Sequence, residues 1–229
     1  TPRSVDIYNV DKNASVLTKI GELNSPNPMP GDDFGYSLDI SDNYLLIGSP
    51  GHNNGHGAAY LFKKINENWE IDTVFTNPVS FEDEGFPHKF GYSVAISDNY
   101  ISISSPFYND GLVYVYALNS SNLKQSSKPI HSIDVRNLGD VEGCYAEGPD
   151  KFGFGVSTSF NNGKLLIGSL KDYVHLIEFN DGITLSTVIP SPIDHDHNDH
   201  DHKSDDSNTI LDFHKFGESV YVGDKNLYI

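Results

Sequence analysis

Hydrophobic and small polar residues alternate along short stretches of this chain, and turn residues separate the stretches. In residues 34–41, aromatic or aliphatic side chains occupy every second position, and Gly, Ser or Asp fill the positions between them. This alternation predicts a β-strand with one bulky face and one small face. Residues 90–97 repeat the pattern, and no stretch shows the helical period of about 3.6 residues. The chain is therefore predicted to be all-β.

The alternating stretch opens a repeat unit that occurs four times. The units begin with Phe-Gly pairs at Phe34, Phe90, Phe152 and Phe216, which are 56, 62 and 64 residues apart. A turn rich in Asp, Asn and Gly follows, and then a second apolar strand. A period of this length indicates stacked supersecondary units that share one core. The signature positions, which we expect to be structural, are Phe34, Gly35, Phe90, Gly91, Phe152, Gly153, Phe216, Gly217, Gly48, Pro50, Pro106 and Gly168.

Each unit supplies four strand-like stretches. The third and fourth stretches follow at 59–62 and 69–75 in the first repeat, and the residues at 5–8 and 16–23 match the same two strands. The last repeat provides only the first two strands. We therefore expect a β-propeller of four-stranded antiparallel blades in a single domain, with three complete units and one composite unit from the two ends. The units lie at about 1–50, 51–106, 107–170 and 171–229.

The repeated motif resembles the FG-GAP repeat of integrin α-subunit propellers. The matching segments read Phe-Gly-Tyr-Ser-Val-x-Ile-Ser, Leu-Leu-Ile-Gly-Ser-Pro and Gly-x-x-Tyr-x-Phe, and the repeats cover essentially the whole chain. The short bacterial and protist repeats are the most similar. The resemblance implies a β-propeller in an extracellular adhesion or matrix protein. Either the two ends pair and close a small ring, or, as we expect, the chain is a segment of a longer propeller.

One feature of that family is missing between the first two strands. Many members carry an Asp-x-Asn-x-Asp-Gly calcium loop there, whereas the first repeat of this chain has only Ser41-Asp42-Asn43. A turn of this length cannot surround an ion that takes about six or more oxygen ligands. The resemblance therefore supplies no calcium site.

The charge balance excludes several classes of partner. The sequence has 32 acidic and 15 basic residues and a formal net charge of −17, which repels nucleic acid and anionic membranes. No apolar run approaches the roughly 20 residues of a membrane span, so we expect no membrane insertion.

The one cysteine, Cys144, cannot form an internal disulfide. We expect an extracellular or cell-surface protein, in which Asn13 and Asn119 are glycosylation acceptors because each begins an Asn-x-Ser triplet.

The antiparallel order of the strands sorts the loops onto two faces. The loops between strands two and three, and those from strand four to the next strand one, emerge on the same face. These loops are long and acidic, and binding residues usually lie on long loops that a rigid scaffold holds. We expect this face to bind a protein or a glycan through His52, His56, Glu82, Asp83, Glu84, Asp140 and Glu142.

A segment rich in histidine and aspartate lies in the last of these loops. Alternating imidazoles and carboxylates can ligate zinc or a related divalent cation. The segment lacks the fixed spacing of a preformed site, so a solvated acidic loop is the alternative interpretation. Calcium or zinc is the only cofactor that the sequence suggests. The candidate ligands are Asp194, His195, Asp196, His197, Asp199, His200, Asp201 and His202.

No motif in the sequence points to catalysis. The chain has no Gly-x-x-x-x-Gly-Lys nucleotide loop and no Ser/His/Asp set with motif support. We therefore expect a non-enzymatic recognition or structural module of a larger adhesion, matrix or filament protein, with other subunits of an extracellular assembly as partners. The alternatives are a hydrolase, the accessory propeller of a phospholipase, and a structural spacer in an assembly.

Overall fold

The computed structural model describes residues 3–11, 15–79, 87–108, 111–118, 128–134, 155–169, 173–179, 183–190, 219–223 and 226–229. Within these residues the chain forms sixteen β-strands and one helical turn, which confirms the all-β prediction. The helical turn is α1 (His52–Gly55). The strands are β1 (Ser4–Asp11), β2 (Val16–Asn24), β3 (Ser37–Ile40), β4 (Tyr44–Ser49), β5 (Ala58–Ile65), β6 (Asn68–Thr76), β7 (Val94–Ile96), β8 (Tyr100–Ser105), β9 (Leu112–Ala117), β10 (His131–Asp134), β11 (Ser157–Asn161), β12 (Lys164–Gly168), β13 (Tyr173–Phe179), β14 (Ile183–Pro190), β15 (Tyr221–Val222) and β16 (Leu227–Tyr228).

Most of the strands form three four-stranded antiparallel sheets. Sheet I contains β3–β6, sheet II contains β7–β10 and sheet III contains β11–β14, and successive strands pair within each sheet. Two further hairpins, the first pair (β1–β2) and the last pair (β15–β16), are separate two-stranded sheets. Asp-Asn turns join the first two strands of sheets I and II, because these residues tolerate the tight geometry of a hairpin. Across two such turns, the Ser41 N–H donates to Tyr44 O at 2.9 Å and the Ser97 N–H donates to Tyr100 O at 2.8 Å.

The sheets stack face to face, and the core lies between them. The cluster between sheets I and II contains Leu46, Leu61 and Phe75 of sheet I and Ile101 and Ile103 of sheet II, all fully buried. A second cluster joins sheet II to sheet III in the same way. Because alternate residues of a strand point to opposite faces, sheet II has a covered apolar surface on both sides.

One glycine in each sheet precedes the first strand and fixes its position. Gly35 and Gly91 have φ angles of 86° and 85°, and each N–H donates to a carbonyl oxygen of the second strand. Gly155 has this role in sheet III, with a φ of 86° and the same hydrogen bond. The third repeat is therefore aligned on Phe154-Gly155, two residues later than the sequence pattern suggested. The earlier Phe152-Gly153 pair lies outside the described residues.

The first and last pairs cover opposite flanks of the row of sheets. Val5 and Leu23 of the first pair pack against a cluster of sheet I. Val222 of the last pair, and Val220 just before it, pack against sheet III. Since each pair is docked on its own flank, the composite sheet that the sequence suggested is not formed within the described residues.

The bulky face of the first strand is exposed in sheet I, whereas the equivalent face is buried in sheet II. Leu38 and Ile40 on β3 are 50% and 62% exposed, whereas their equivalents Val94 and Ile96 on β7 are each 5% exposed. Val94 and Ile96 pack against sheet I, which has four strands. Leu38 and Ile40 point toward the first pair, which has only two strands. The sequence pattern thus predicts the bulky face of the strand but does not specify what covers it.

A buried histidine in sheet III makes stability depend on pH. His175 on β13 is 2% exposed, and burial lowers the pKa of its imidazole from the ordinary 6.5 to about 4. The unfolded chain therefore binds a proton in acid before the folded chain does. The resulting expectation is that the free energy of unfolding is fully retained above about pH 6.5 and falls as the pH drops toward about 4.

Replacing this histidine should remove that part of the acid sensitivity. Sheets I and II have Tyr60 and Tyr114 at the equivalent position of their third strands. We expect His175→Tyr to flatten the decline of the unfolding free energy between about pH 6.5 and pH 4. Chemical denaturation of both proteins across this range measures the difference. Parallel pH profiles would show that His175 is not held neutral in the folded chain.

Candidate functional site

The loops leave the sheets on two opposite faces, as the strand order predicts. On one face, the β4–β5 loop of sheet I contacts the segment that leads into sheet II. There the Lys89 N–H donates to Gly55 O at 2.8 Å, and Gly57 forms a parallel bridge with Phe90. On the other face the hairpin turns meet, and the Lys64 N–H donates to the carbonyl of the β3–β4 turn at 2.8 Å. We name these surfaces the long-loop face and the short-turn face.

The long-loop face carries a group of rings around His88, here named the histidine patch (His56, His88 and Tyr108). The ring centroids of His56 and His88 lie 4.9 Å apart, and those of His88 and Tyr108 lie 4.5 Å apart. His88 is buried, and the other two residues are partly exposed. Burial lowers the pKa of His56, which favours its neutral form near neutral pH. The patch therefore offers ring faces and the neutral imidazole of His56 to a ligand.

The side chain of Asn77 holds the His88 imidazole in one tautomer. Asn77 Oδ1 accepts the N–H of Val79 at 3.0 Å, so the amide nitrogen is the atom that faces His88 Nδ1 at 3.1 Å. An amide NH₂ group only donates, so Nδ1 of His88 accepts and Nε2 of the neutral ring carries the proton. Asn77 therefore positions the buried member of the histidine patch.

The position of His88 in the repeat has a structural role. Ser105 Oγ donates to the carbonyl of His88 at 2.8 Å, and Ser49 Oγ donates to the carbonyl of the equivalent Asp32 at 2.7 Å. The Asp32 carboxylate also accepts the N–H of Phe34 at 3.3 Å. Both residues thus tie the start of a sheet to the end of its own second strand.

A second group of rings, the tyrosine patch (Tyr36, Tyr92 and Phe107), lies on the same face. The ring centroids of Tyr36 and Tyr92 lie 4.8 Å apart, and those of Tyr92 and Phe107 lie 5.4 Å apart. Tyr36 is 45% exposed. Burial, together with a hydrogen bond to Tyr92, raises the pKa of Tyr36 to about 12, so its hydroxyl stays protonated and can donate. An ion pair of 3.4 Å between Arg3 and Asp33 lies beside this patch.

The sequence pattern did not indicate the tyrosine patch, because Tyr36 and Tyr92 occupy bulky positions of the alternating strand pattern and stand out in no other way. Tyr36 and Tyr92 occupy the same repeat position, directly after Gly35 and Gly91. Stacking of neighbouring sheets brings such equivalent residues together. The signal that could have found the patch was an aromatic residue repeated at the end of the strand nearest the long loops.

Of the predicted partner-face residues, His56 lies in the histidine patch. His52 lies in the helical turn of the β4–β5 loop, and its ring centroid is 6.3 Å from that of Tyr60. Within the described part of the chain, no three His, Cys, Asp or Glu side chains are grouped so that they could hold a metal ion. The metal ligands, the glycosylation acceptors and the other partner-face residues stay predictions from the sequence. The predicted site and signature residues that lie outside the described ranges, besides Phe152 and Gly153, are Glu82, Asp83, Glu84, Asp140, Glu142, Asn13, Asn119, Phe216, Gly217 and the whole segment 194–202.

The short-turn face has a crevice of about 450 Å³ between the turns of sheets II and III. Asp98, Asn99 and Asn162 line it, and all three are exposed turn residues. Sheet I has the same Ser-Asp-Asn turn at 41–43. Turn chemistry therefore accounts for these residues, and they supply control positions on the face opposite the two patches.

Residues 18–62 match the FG-GAP repeat family, which confirms the resemblance at the first repeat. The matched residues run from β2 to β5. No curated protein matches the chain. Together with the stacked four-stranded sheets, the family match indicates a β-propeller fold, and repeats of this family are typical of extracellular proteins. No helix in the described ranges is long and apolar enough to cross a membrane.

Proposed function

We propose, from the premise that this chain carries an FG-GAP repeat within a β-propeller fold, that it is a non-enzymatic recognition module outside the cell. It binds a protein or a glycan through the long-loop face. The observation that supports this proposal is the presence of two adjacent ring clusters, the histidine patch and the tyrosine patch, on that face. Rigid sheets with buried cores hold both patches in place.

The patches suit the binding of a ligand through ring contacts and hydrogen bonds rather than through charge. Tyrosine combines a large apolar ring with a hydroxyl donor, and such residues are enriched where proteins bind partners. The ring of Tyr36 packs against Tyr92, which in turn packs against Phe107, so little side-chain entropy is lost when a ligand covers Tyr36. The net charge of −17 disfavours strongly anionic ligands. Neutral glycans and neutral or basic protein surfaces are therefore the expected ligand classes.

The proposal predicts that binding depends on the patches of the long-loop face. A fluorescently labelled chain is applied to a glycan microarray and to a panel of immobilised extracellular matrix proteins. For any ligand found, we expect Tyr36→Ala and His56→Ala to weaken binding about tenfold or more. The matched controls, Asp98→Ala and Asn162→Ala on the short-turn face, should change affinity by less than about twofold.

Two outcomes would contradict this assignment. Loss of binding in the Asp98→Ala and Asn162→Ala variants, with the patch variants unaffected, would place the site on the short-turn face. Failure of the folded chain to bind any member of either panel would count against a recognition role. Circular dichroism of each variant establishes that the fold is retained, since all four residues are at least partly exposed.

A second candidate function, a structural module in an assembly, has its own supporting observation. Most of the exposed large hydrophobic side chains lie on the two flanks of the row of sheets rather than on the long-loop face. Such flanks suit contacts between chains.

A further inference from the structure

The tyrosine patch presents one open aromatic ring to solvent. Tyr36 is 45% exposed, whereas Tyr92 and Phe107 are half-buried. The ring of Tyr36 packs against that of Tyr92 with centroids 4.8 Å apart, and its exposed fraction corresponds to the area of one ring face. On the order of 100 Å² of aromatic surface is therefore open to a ligand at this position.

Both tyrosines end the same kind of four-residue turn, which fixes their positions. The Tyr36 N–H donates to Asp33 O and the Tyr92 N–H donates to Lys89 O, each at 3.0 Å. Asp33 and Lys89 both have positive φ angles, of 55° and 60°. A ligand that covers Tyr36 thus meets a side chain that the backbone turn and the neighbouring ring already hold, so little ordering is needed on binding.

A charged pair lies beside this open ring. Arg3 Nη2 is 3.4 Å from Asp33 Oδ1, and the two side chains are 62% and 31% exposed. Both groups act electrostatically on the Tyr36 hydroxyl. An exposed pair of this kind contributes little to stability, so its members can turn to a ligand at small cost. Together they offer guanidinium N–H donors and carboxylate acceptors next to an aromatic ring.

A pyranose sugar has the complementary surface. One face of such a ring presents several C–H groups, and hydroxyl groups, each a donor and an acceptor, surround its edge. The C–H groups carry a small positive charge, and the face of an aromatic ring carries the negative part of its quadrupole. A carboxylate accepts hydrogen bonds from neighbouring hydroxyls, and a guanidinium donates to others. Tyr36, Asp33 and Arg3 therefore offer a partner to each part of a sugar ring.

Size and charge favour a neutral sugar over a protein surface at this patch. A stable protein interface covers about 800 Å² on each partner. The open surface of Tyr36, on the order of 100 Å², is far smaller and matches one sugar ring. The net charge of −17 disfavours sialylated and sulfated glycans, because these are anionic.

We propose that the tyrosine patch is a binding subsite for a neutral pyranose sugar. The C–H face of the sugar stacks on Tyr36, and its hydroxyl groups bond to Asp33 and Arg3. This inference rests on the proposed recognition function and names the ligand class of its tyrosine patch. A protein ligand without a glycan is the alternative that the experiments below distinguish.

The first experiment compares neutral glycans, anionic glycans and bare proteins. The labelled chain is applied to an array of β-galactosides, β-glucosides and α-mannosides, to the sialylated and sulfated forms of the same glycans, and to matrix proteins before and after enzymatic deglycosylation. We expect the neutral glycans to bind at least about tenfold more strongly than their anionic forms. We also expect the matrix proteins to lose binding once their glycans are removed.

The outcomes of this experiment separate the subsite from the recognition function. Binding only to matrix proteins, and equally after deglycosylation, would overturn the sugar subsite and leave the recognition function standing. Equal or stronger binding of the anionic glycans would overturn the preference for a neutral sugar. Absence of binding to every probe would count against both proposals.

The second experiment tests stacking on Tyr36, with calorimetry on the strongest neutral glycan of the array. Tyr36→Leu keeps an apolar side chain but removes the flat ring, and should weaken binding at least about tenfold. Tyr36→Phe keeps the ring and should weaken binding less than about threefold. The matched control is Tyr8→Leu, since Tyr8 on β1 is 48% exposed and its hydroxyl donates to Asp6 at 3.4 Å. This control should change the affinity by less than about twofold.

Two results would overturn stacking on Tyr36. One is equal affinity of the Tyr36→Leu and Tyr36→Phe variants, which would mean that the ligand needs only an apolar side chain. The other is a loss in Tyr8→Leu as large as in Tyr36→Leu. Circular dichroism establishes that each variant keeps the fold, since both tyrosines are about half exposed.

The third experiment tests the contact between Asp33 and a sugar hydroxyl. Asp33→Gly removes the carboxylate and keeps the turn, because glycine adopts a positive φ without strain. Analogues of the bound glycan are used in which one hydroxyl is replaced by hydrogen. We expect at least one analogue to bind the original chain about tenfold more weakly than the parent glycan, and Asp33→Gly to bind this analogue and the parent equally. An Asp33→Gly variant that discriminates among the analogues as the original chain does would overturn the role of Asp33.

Discussion

Replacing Gly57 with alanine is expected to lower the free energy of unfolding by about 4 kcal/mol. Gly57 has a φ of 91°, and this conformation costs a residue with a Cβ about 1–2 kcal/mol. An added Cβ would also overlap the backbone nitrogen and oxygen of Phe90, where sheets I and II join. Overpacking against fixed backbone adds about 1–3 kcal/mol. Urea denaturation of the two proteins measures the difference.

Gly31 provides the matched control for this substitution. Its φ of 76° is also positive, but no atom lies within 4 Å of the position that a Cβ would take. Gly31→Ala should therefore cost only about 1–2 kcal/mol, which is the conformational part alone. Equal losses for the two variants would show that the backbone contact between the sheets is not tight at Gly57.

Ile96→Ala is expected to destabilise the chain by about 3 kcal/mol, whereas Ile40→Ala should change stability by less than about 0.5 kcal/mol. The two residues are equivalent in the repeat, but Ile96 is 5% exposed between sheets I and II and Ile40 is 62% exposed. Truncating Ile96 leaves a cavity between two packed sheets. Truncating Ile40 removes a side chain that already contacts solvent.

Urea denaturation of the two variants and the original chain makes this comparison. A loss for Ile40→Ala as large as for Ile96→Ala would mean that Ile40 is buried in the folded chain, against its 62% exposure.

The order of strands and turns was predictable because the local sequence of each repeat indicates it. Alternation of large and small residues identified the first strands, and Asp-Asn turns identified the hairpins. The register of the third repeat was not predictable, since the sequence Phe-Gly-Phe-Gly at 152–155 allows two alignments. The hydrogen bond and positive φ of Gly155 decide between them, and both depend on a partner strand.

The candidate site was predictable only at the level of a face. The antiparallel strand order placed His52 and His56 on the long-loop side, because alternate connections of an antiparallel sheet emerge together. The contacts of His56 with His88, and of Tyr36 with Tyr92, join loops or strands of different sheets. Spacing along the chain carries no information on such contacts.

By itself, the sequence determined that this chain is made of short β-strands in repeated units and that the Phe-Gly pairs at Phe34 and Phe90 precede the first strands of sheets I and II. These features follow from local alternation, turn residues and periodicity. The bulky faces of β3 and β7 have the same sequence pattern, and only the tertiary structure decided which of them is buried, as Ile96 and Ile40 show. The reason is that burial depends on the neighbouring sheet, and sheet I has on one side a full four-stranded neighbour and on the other only a pair of strands.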